Sequence, residues 1–223
     1  MSPKEYQYKV AYAPVSPDLA NLNSNSWDGA EIKNITNFYF LADKKTRYLP
    51  ETKFKIMYGE KGLYIIFLVH DKYVVSKHPM QGSVCRDSCV EFFFQIPGKG
   101  AYFTLEMAAG GNFLTFYITK RKKDFVILPE KDYSKIKIVS SMKNRIFDEI
   151  KKPQRWTLGA FIPYSLLSKY HGSKINKETV KGQIWRGNLY KCADLSNPHW
   201  ASWAKMPICS FHMKNYFGYL NFQ

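Results

Sequence analysis

Two glutamates, Glu91 and Glu106, end the stretch EFFFQIPGKGAYFTLE, residues 91–106. The segment Pro97-Gly98-Lys99-Gly100 reads as a turn between two apolar strands. If Ile96 pairs with Ala101, the register carries back to Glu91 directly opposite Glu106. Like charges facing across a strand pair are destabilising. Two facing carboxylates therefore point to a ligand or to a compensating cation. They can accept hydrogen bonds from sugar hydroxyls. They can also serve a retaining glycosidase, whose carboxyl groups stand about 5–5.5 Å apart, and opposed Cβ atoms are about 4.5–5.5 Å apart. Catalytic carboxylates, however, approach the scissile bond from opposite sides, and these two stand parallel on one face. Binding is the first reading, and O-glycosyl hydrolysis by Glu91 and Glu106 is the alternative. A cation between them would be Arg186, a histidine or Ca²⁺, with arginine the natural bidentate partner.

Strand alternation separates the two faces of this hairpin. Val90, Phe92, Phe94 and Ile96 point one way, with Phe103, Leu105 and Met107 opposite them, and form a wholly apolar core face. Glu91, Phe93 and Gln95 share the other face with Tyr102, Thr104 and Glu106. Acceptors, hydroxyls and flat rings together suit a sugar. The plainer reading is an exposed sheet face with scattered polar residues.

A second group lies near the C-terminus. In WRGNLYK, alternation places Arg186, Asn188 and Tyr190 on one face and Trp185 and Leu189 on the other. A loop follows, carrying His199, Trp200, Trp203 and His212. The expected site has Glu91 and Glu106 as its floor and Arg186 balancing their charge. Asn188, Tyr190, His199 and Trp203 form the wall, with Trp203 as stacking platform and His212 nearby. Trp185 and Phe217 read as core. The two histidines, thirteen residues apart, make a weak metal signal.

The elements that must position these residues are mostly strands. TKFKIMYGEKGLYIIFLVHD is a hairpin, NFLTFYIT adds a strand to the glutamate hairpin, and KIKIVSSM, QRWTLGAFIP, GQIWRGNLYKC and FGYLNF are further strands. One short helix is expected near PYSLLSKY, with Pro163 suited to its first turn. Regular short strands separated by turn signals predict a single all-β domain over residues 1–223, an antiparallel β-sandwich of jelly-roll type.

Composition narrows the function classes. Hydrophobic residues make up 45% and aromatic residues 17% of 223 positions, enough for a folded core and against disorder. No apolar run is long enough for a membrane-spanning helix. MSPKEYQYKV lacks the apolar stretch of a signal peptide, so an extracellular or periplasmic place requires a leader already removed. The net charge of +15 raises the question of an acidic partner. Yet the lysines are scattered, KRKK (residues 120–123) is the one run, and no nucleic-acid module is visible. A basic interaction protein is the third reading. Cys85, Cys89, Cys192 and Cys209 are too few for a disulfide scaffold. Cys85 and Cys89 make a weak zinc signal and read better as buried free thiols.

Several separated motifs then match one family in order. DSCVEFFFQIPGKGAYFTLEMAAGG, RGNLYKC, HWASW and FHMKNYFGYLNF resemble the family 9-like carbohydrate-binding domains, from about Trp27 to Phe222. The resemblance implies a β-sandwich with a concave recognition face and non-catalytic binding of plant-type polysaccharides or oligosaccharides, often beside xylan- or cellulose-degrading enzymes. Glu91, ending DSCVE, matches a carboxylate that hydrogen-bonds sugar hydroxyls. The family's arginine contact falls near Thr104, and one of its two clamping tryptophans falls at Cys85. The second clamp position lies in the region of Trp203 to Phe211. Structural Ca²⁺ is common in the family. Here acidic residues are scarce and no ligand-spaced Asp/Asn loop is present, so no cofactor is expected.

Overall fold

Period-two alternation of apolar residues makes strands the dominant regular element of the chain. A computed structural model describes residues 3–41, 43, 45–119 and 124–223; the KRKK run lies outside the described residues. The N-terminal strands are β1 (Gln7–Tyr12), β2 (Lys33–Asn34), β3 (Asn37–Tyr39), β4 (Glu51–Tyr58), β5 (Gly62–Asp71) and β6 (Val74–Ser76). The glutamate hairpin follows as β7 (Cys89–Gln95) and β8 (Tyr102–Ala108), extended by β9 (Phe113–Ile118) and β10 (Phe125–Ile127). After α1 (Glu130–Tyr133) come β11 (Lys137–Ser140), β12 (Ile146–Ile150) and β13 (Gln154–Pro163). The chain ends with α2 (Tyr164–His171), α3 (Lys177–Val180), β14 (Ile184–Ala193), β15 (His199–Ser202) and β16 (Gly218–Phe222). The expected helix is α2; α1 and α3 are single turns of four residues that periodicity does not reveal. No helix among the described residues is long and apolar enough to cross a membrane.

The fold is all-β; among the described residues fourteen strands form one curled sheet, and β6 and β12 pair with each other apart from it. The sheet hydrogen-bonds along the path β10-β9-β8-β7-β14-β16-β1-β4-β5-β13-β11. The expectation of a purely antiparallel arrangement is corrected at β1. Its residues 7–10 run parallel to β16 and its residues 11 and 12 run parallel to β4. This strand therefore turns the corner between the two halves of the sheet. A parallel pair joins segments far apart in sequence, and no local turn signal announces it.

The apolar faces of both halves meet in one core. Phe92, Phe94, Leu105 and Trp185 come from one half, and Phe54, Ile65, Phe67 and Trp156 from the other. Each outer face is covered by a chain segment. Leu22 and Trp27 pack on Met57, Ile66 and Leu68 of β4 and β5. On the β7–β8 side, Met206, Phe211 and Phe217 cover Phe93, Tyr102 and Tyr190. The glutamate hairpin thus has a buried outer face rather than an open one.

Trp203 closes the seam between the halves. It is 5% exposed and meets Tyr6, Tyr8 and Phe54 edge-on, with ring centroids 5.8–6.4 Å away. Gly218 lies beneath its ring: an added Cβ would sit 2.7 Å from Trp203 Cζ3 and 2.9 Å from the Tyr6 carbonyl. Overpacking of this kind typically costs about 1–3 kcal/mol, and in a chain of this size 1 kcal/mol corresponds to about 2–4 °C in Tm. Gly218→Ala is expected to lower Tm by several degrees in a thermal melt, and Trp203→Ala to cost about 3–5 kcal/mol as a core truncation. Unchanged melting for both variants would place this indole outside the core.

Candidate functional site

The turn fixes the register, and the register brings the two glutamates together. Glu91 pairs with Glu106, Phe92 with Leu105, Phe93 with Thr104 and Phe94 with Phe103. Both carboxylates lie on the face turned away from the core, under the segment that returns from β15 to β16. Glu91 is 2% and Glu106 5% exposed. Burial, and then the neighbouring Glu106, push the Glu91 carboxyl well above the usual carboxylate range; the Cys192 thiol, donating to Glu91 Oε1 at 3.2 Å, opposes the shift.

A pocket of about 320 Å³ opens above the pair. Glu91, Phe93, Glu106 and Cys192 make its floor. Cys85, Asp194 and Trp200 border it on one side, and the returning segment adds Cys209, Phe211 and His212. The His212 ring lies 5.1 Å from Phe93, centroid to centroid, and its Nδ1 is 2.9 Å from the Tyr102 hydroxyl. Of the expected site residues, Glu91, Glu106 and His212 are brought together here.

Three others hold the roof instead. Strand β14 lies beside β7 with Tyr190 opposite Glu91, Asn188 opposite Phe93 and Arg186 opposite Gln95. Arg186 therefore shares the glutamates' face but stands four residues along it, about 13 Å at the usual strand rise. Its guanidinium stacks 4.3 Å over Tyr219 and donates to the Phe217 carbonyl, with Nε at 2.9 Å. The expectation that Arg186 balances the carboxylates is corrected accordingly. The Asn188 amide donates to the Ala204 carbonyl at 2.9 Å, and its oxygen accepts from the Ala204 N–H at 2.8 Å. Tyr190 donates to the Phe211 carbonyl at 2.8 Å and stacks on the Phe211 ring at 4.0 Å. All three side chains satisfy backbone groups of the covering segment.

His199 and Trp203 lie elsewhere, and their placement corrects the expected wall. Residues 199–202 are strand rather than loop, paired antiparallel to β14 with Cys192 opposite Trp200 and Ala193 opposite His199. Alternation then turns Trp200 to the pocket face and His199 to the opposite one. Trp203 packs in the core, so Trp200 is the tryptophan at the pocket. The same period-two pattern in HWAS would have selected Trp200, had the stretch been read as a strand. The second clamp region does supply an aromatic, Phe211, and the Cys85 position does border the pocket.

His199 belongs to a buried polar cluster. Lys191 Nζ donates to His199 Nε2 at 2.9 Å and to the Cys192 carbonyl at 3.2 Å, and it pairs with Asp71 at 3.4 Å. His199 Nδ1 donates to the Asn197 carbonyl at 2.6 Å, the arrangement of a neutral imidazole. Burial first, and then Lys191, hold its pKa well below 6.5.

An open pocket with an acidic floor and aromatic border, set in an all-β scaffold, is the candidate ligand site of this domain. The profile of carbohydrate-binding family 9 matches residues 25–222, and the chain belongs to that family. Three solved structures share the fold. A candidate carbohydrate-binding protein from Bacteroides uniformis ATCC 8492 aligns over 98% of this chain and 99% of its own, at 23% identity and a TM-score of 0.84. A family 9 module from Caldicellulosiruptor kristjanssonii, solved in complex with glucose, aligns over 96% and 95% at 15% identity and a TM-score of 0.59. Its cellotriose complex aligns over 97% and 93% at 12% identity and a TM-score of 0.59. No curated protein matches the chain.

The neutral His199 carries a pH signature. Above about pH 6.5 the imidazole is neutral in both folded and unfolded chains. As pH falls below that value the unfolded chain takes up a proton that the folded chain does not, so stability is lost toward the depressed folded pKa. Urea unfolding between about pH 7.5 and 5 should show a component of this acid-side decline in the wild type that His199→Gln lacks. Equal slopes in the two proteins would mean that His199 titrates normally.

Proposed function

We propose that this protein is a non-catalytic carbohydrate-binding domain that takes a plant-type oligosaccharide, or the end of a polysaccharide chain, into the pocket over Glu91 and Glu106. The observation that carries this reading is the register pairing of the two carboxylates on the face away from the core, with Trp200 and Phe211 bordering the same pocket. Carboxylate oxygens accept from sugar hydroxyls, and aromatic rings stack on the apolar faces of pyranoses. Family membership supports it, as do the glucose and cellotriose bound by the Caldicellulosiruptor module. The ligand would lie on the concave recognition face that the family resemblance implies. A volume of about 320 Å³ is at the small end of ligand sites and suits a terminal sugar better than the middle of a chain.

The glutamate pair also raises hydrolysis. Two carboxyl groups side by side on one sheet face approach a ligand from the same direction, whereas a glycosidase pair flanks the scissile bond. Binding therefore ranks first. Turnover of chromogenic glycosides that vanishes in Glu91→Gln would reverse that order.

Isothermal titration with glucose, xylo-oligosaccharides and cello-oligosaccharides tests the reading. A hydrogen bond to a charged group is worth about 1.5–3 kcal/mol, so Glu91→Gln should weaken binding roughly tenfold or more. Trp200→Ala should weaken it as well. Affinity unchanged by both substitutions, or silence of the folded wild type across the panel, would count against the pocket. Binding to acidic polymers that collapses with salt would then favour the basic surface.

A further inference from the structure

The floor of the pocket holds more than carboxylates. Cys89 and Cys192 are directly opposite each other across β7 and β14, on the face that carries Glu91. Both are buried and free of disulfides. One ligand atom from each of Cys89, Cys192 and Glu91 lies within 4.8 Å of the other two. Cys192 Sγ is also 3.4 Å from the Cys85 carbonyl, and Cys85 and Glu106 border the same pocket. Around a tetrahedral zinc with Zn–S bonds of about 2.3 Å, ligand atoms are separated by about 3.8 Å. The cluster reaches that spacing with a contraction of 1 Å or less.

We propose that Cys89, Cys192 and Glu91 form a binding site for a thiophilic divalent cation of the Zn²⁺ class. On binding, the two thiols lose their protons to solvent, and two thiolates and one carboxylate oxygen become the protein ligands. The fourth position faces the pocket and takes water or a further side chain. Softness decides the ion: sulfur ligands select zinc-like metals, while Ca²⁺ and Mg²⁺ require all-oxygen shells. The inference is independent of the sugar reading, since it is measured without a sugar.

The test uses the full chain, reduced and stripped with a chelator. Zn²⁺ affinity is measured by competition with a chromophoric chelator, and Co²⁺ is titrated as a spectroscopic substitute. One equivalent of Zn²⁺ is expected, and the Co²⁺ form should show thiolate-to-metal charge-transfer absorption with a tetrahedral ligand-field spectrum. Cys89→Ser and Cys192→Ser should each weaken Zn²⁺ at least tenfold and diminish the charge-transfer band, which the one remaining thiolate still supports. His70→Gln, which deletes an exposed imidazole outside the pocket lining, should change neither. If a serine variant fails to fold, the wild-type Co²⁺ spectrum decides alone. The proposal is overturned if the folded wild type retains no Zn²⁺, if its Co²⁺ complex lacks the charge-transfer band, or if peptide mapping finds Cys89 and Cys192 joined as a disulfide.

Discussion

The site depends on how the segment between β15 and β16 is held against the outer face of β14. A chain crossing a sheet face must satisfy its own backbone polar groups, since buried and unpaired they would cost about 1–3 kcal/mol each. Strand β14 answers this with alternate side chains. Arg186 meets the Phe217 carbonyl, Asn188 meets both backbone groups of Ala204, and Tyr190 meets the Phe211 carbonyl. The partner switch in β14 makes room for this. Its residues 184–187 pair with β16 and residues 190–193 with β15, so Asn188 stands at the fork where the covering segment leaves the sheet. Without that anchorage the glutamates would lie on an open face, and no pocket would form over them.

Charge shapes the rest. Two carboxylates directly opposed and nearly buried are an arrangement that stability alone does not favour. The Glu91 carboxyl responds by moving well above its usual range, chiefly through burial. On the opposite face of the neighbouring strand β14, Lys191 is fully buried but matched by Asp71 and His199. A matched buried cation and the carboxylate pair thus lie on opposite faces of the adjacent strands β14 and β7. Sequences break local rules of this kind most often at functional sites, and the glutamate pair is such a break.

Where local physics governs, the sequence was readable. The Pro-Gly-Lys-Gly turn and the alternation around it set the β7–β8 register, both faces of the hairpin and the Glu91–Glu106 pairing. The β4–β5 hairpin and β13 were legible for the same reason. Non-local pairing was not: β1 is fixed by parallel partners distant in sequence, β4 and β16, and no turn marks it. The site was half legible. Face assignments on β14 were right, yet they say which way Arg186, Asn188 and Tyr190 point and not whether chain or ligand meets them. Reading residues 199–202 as loop cost the phase, which exchanged Trp200 for Trp203 and placed His199 on the wrong side. The meeting of Cys89 with Cys192 required the β7–β14 register, which joins segments about a hundred residues apart.

The most direct test of this account is a crystal structure of the protein with a cello- or xylo-oligosaccharide. The account places a sugar ring in the pocket between Trp200 and Phe211, with a hydroxyl within hydrogen-bond distance of the Glu91 carboxylate. Density for the sugar on another surface, with this pocket holding only solvent, would contradict it.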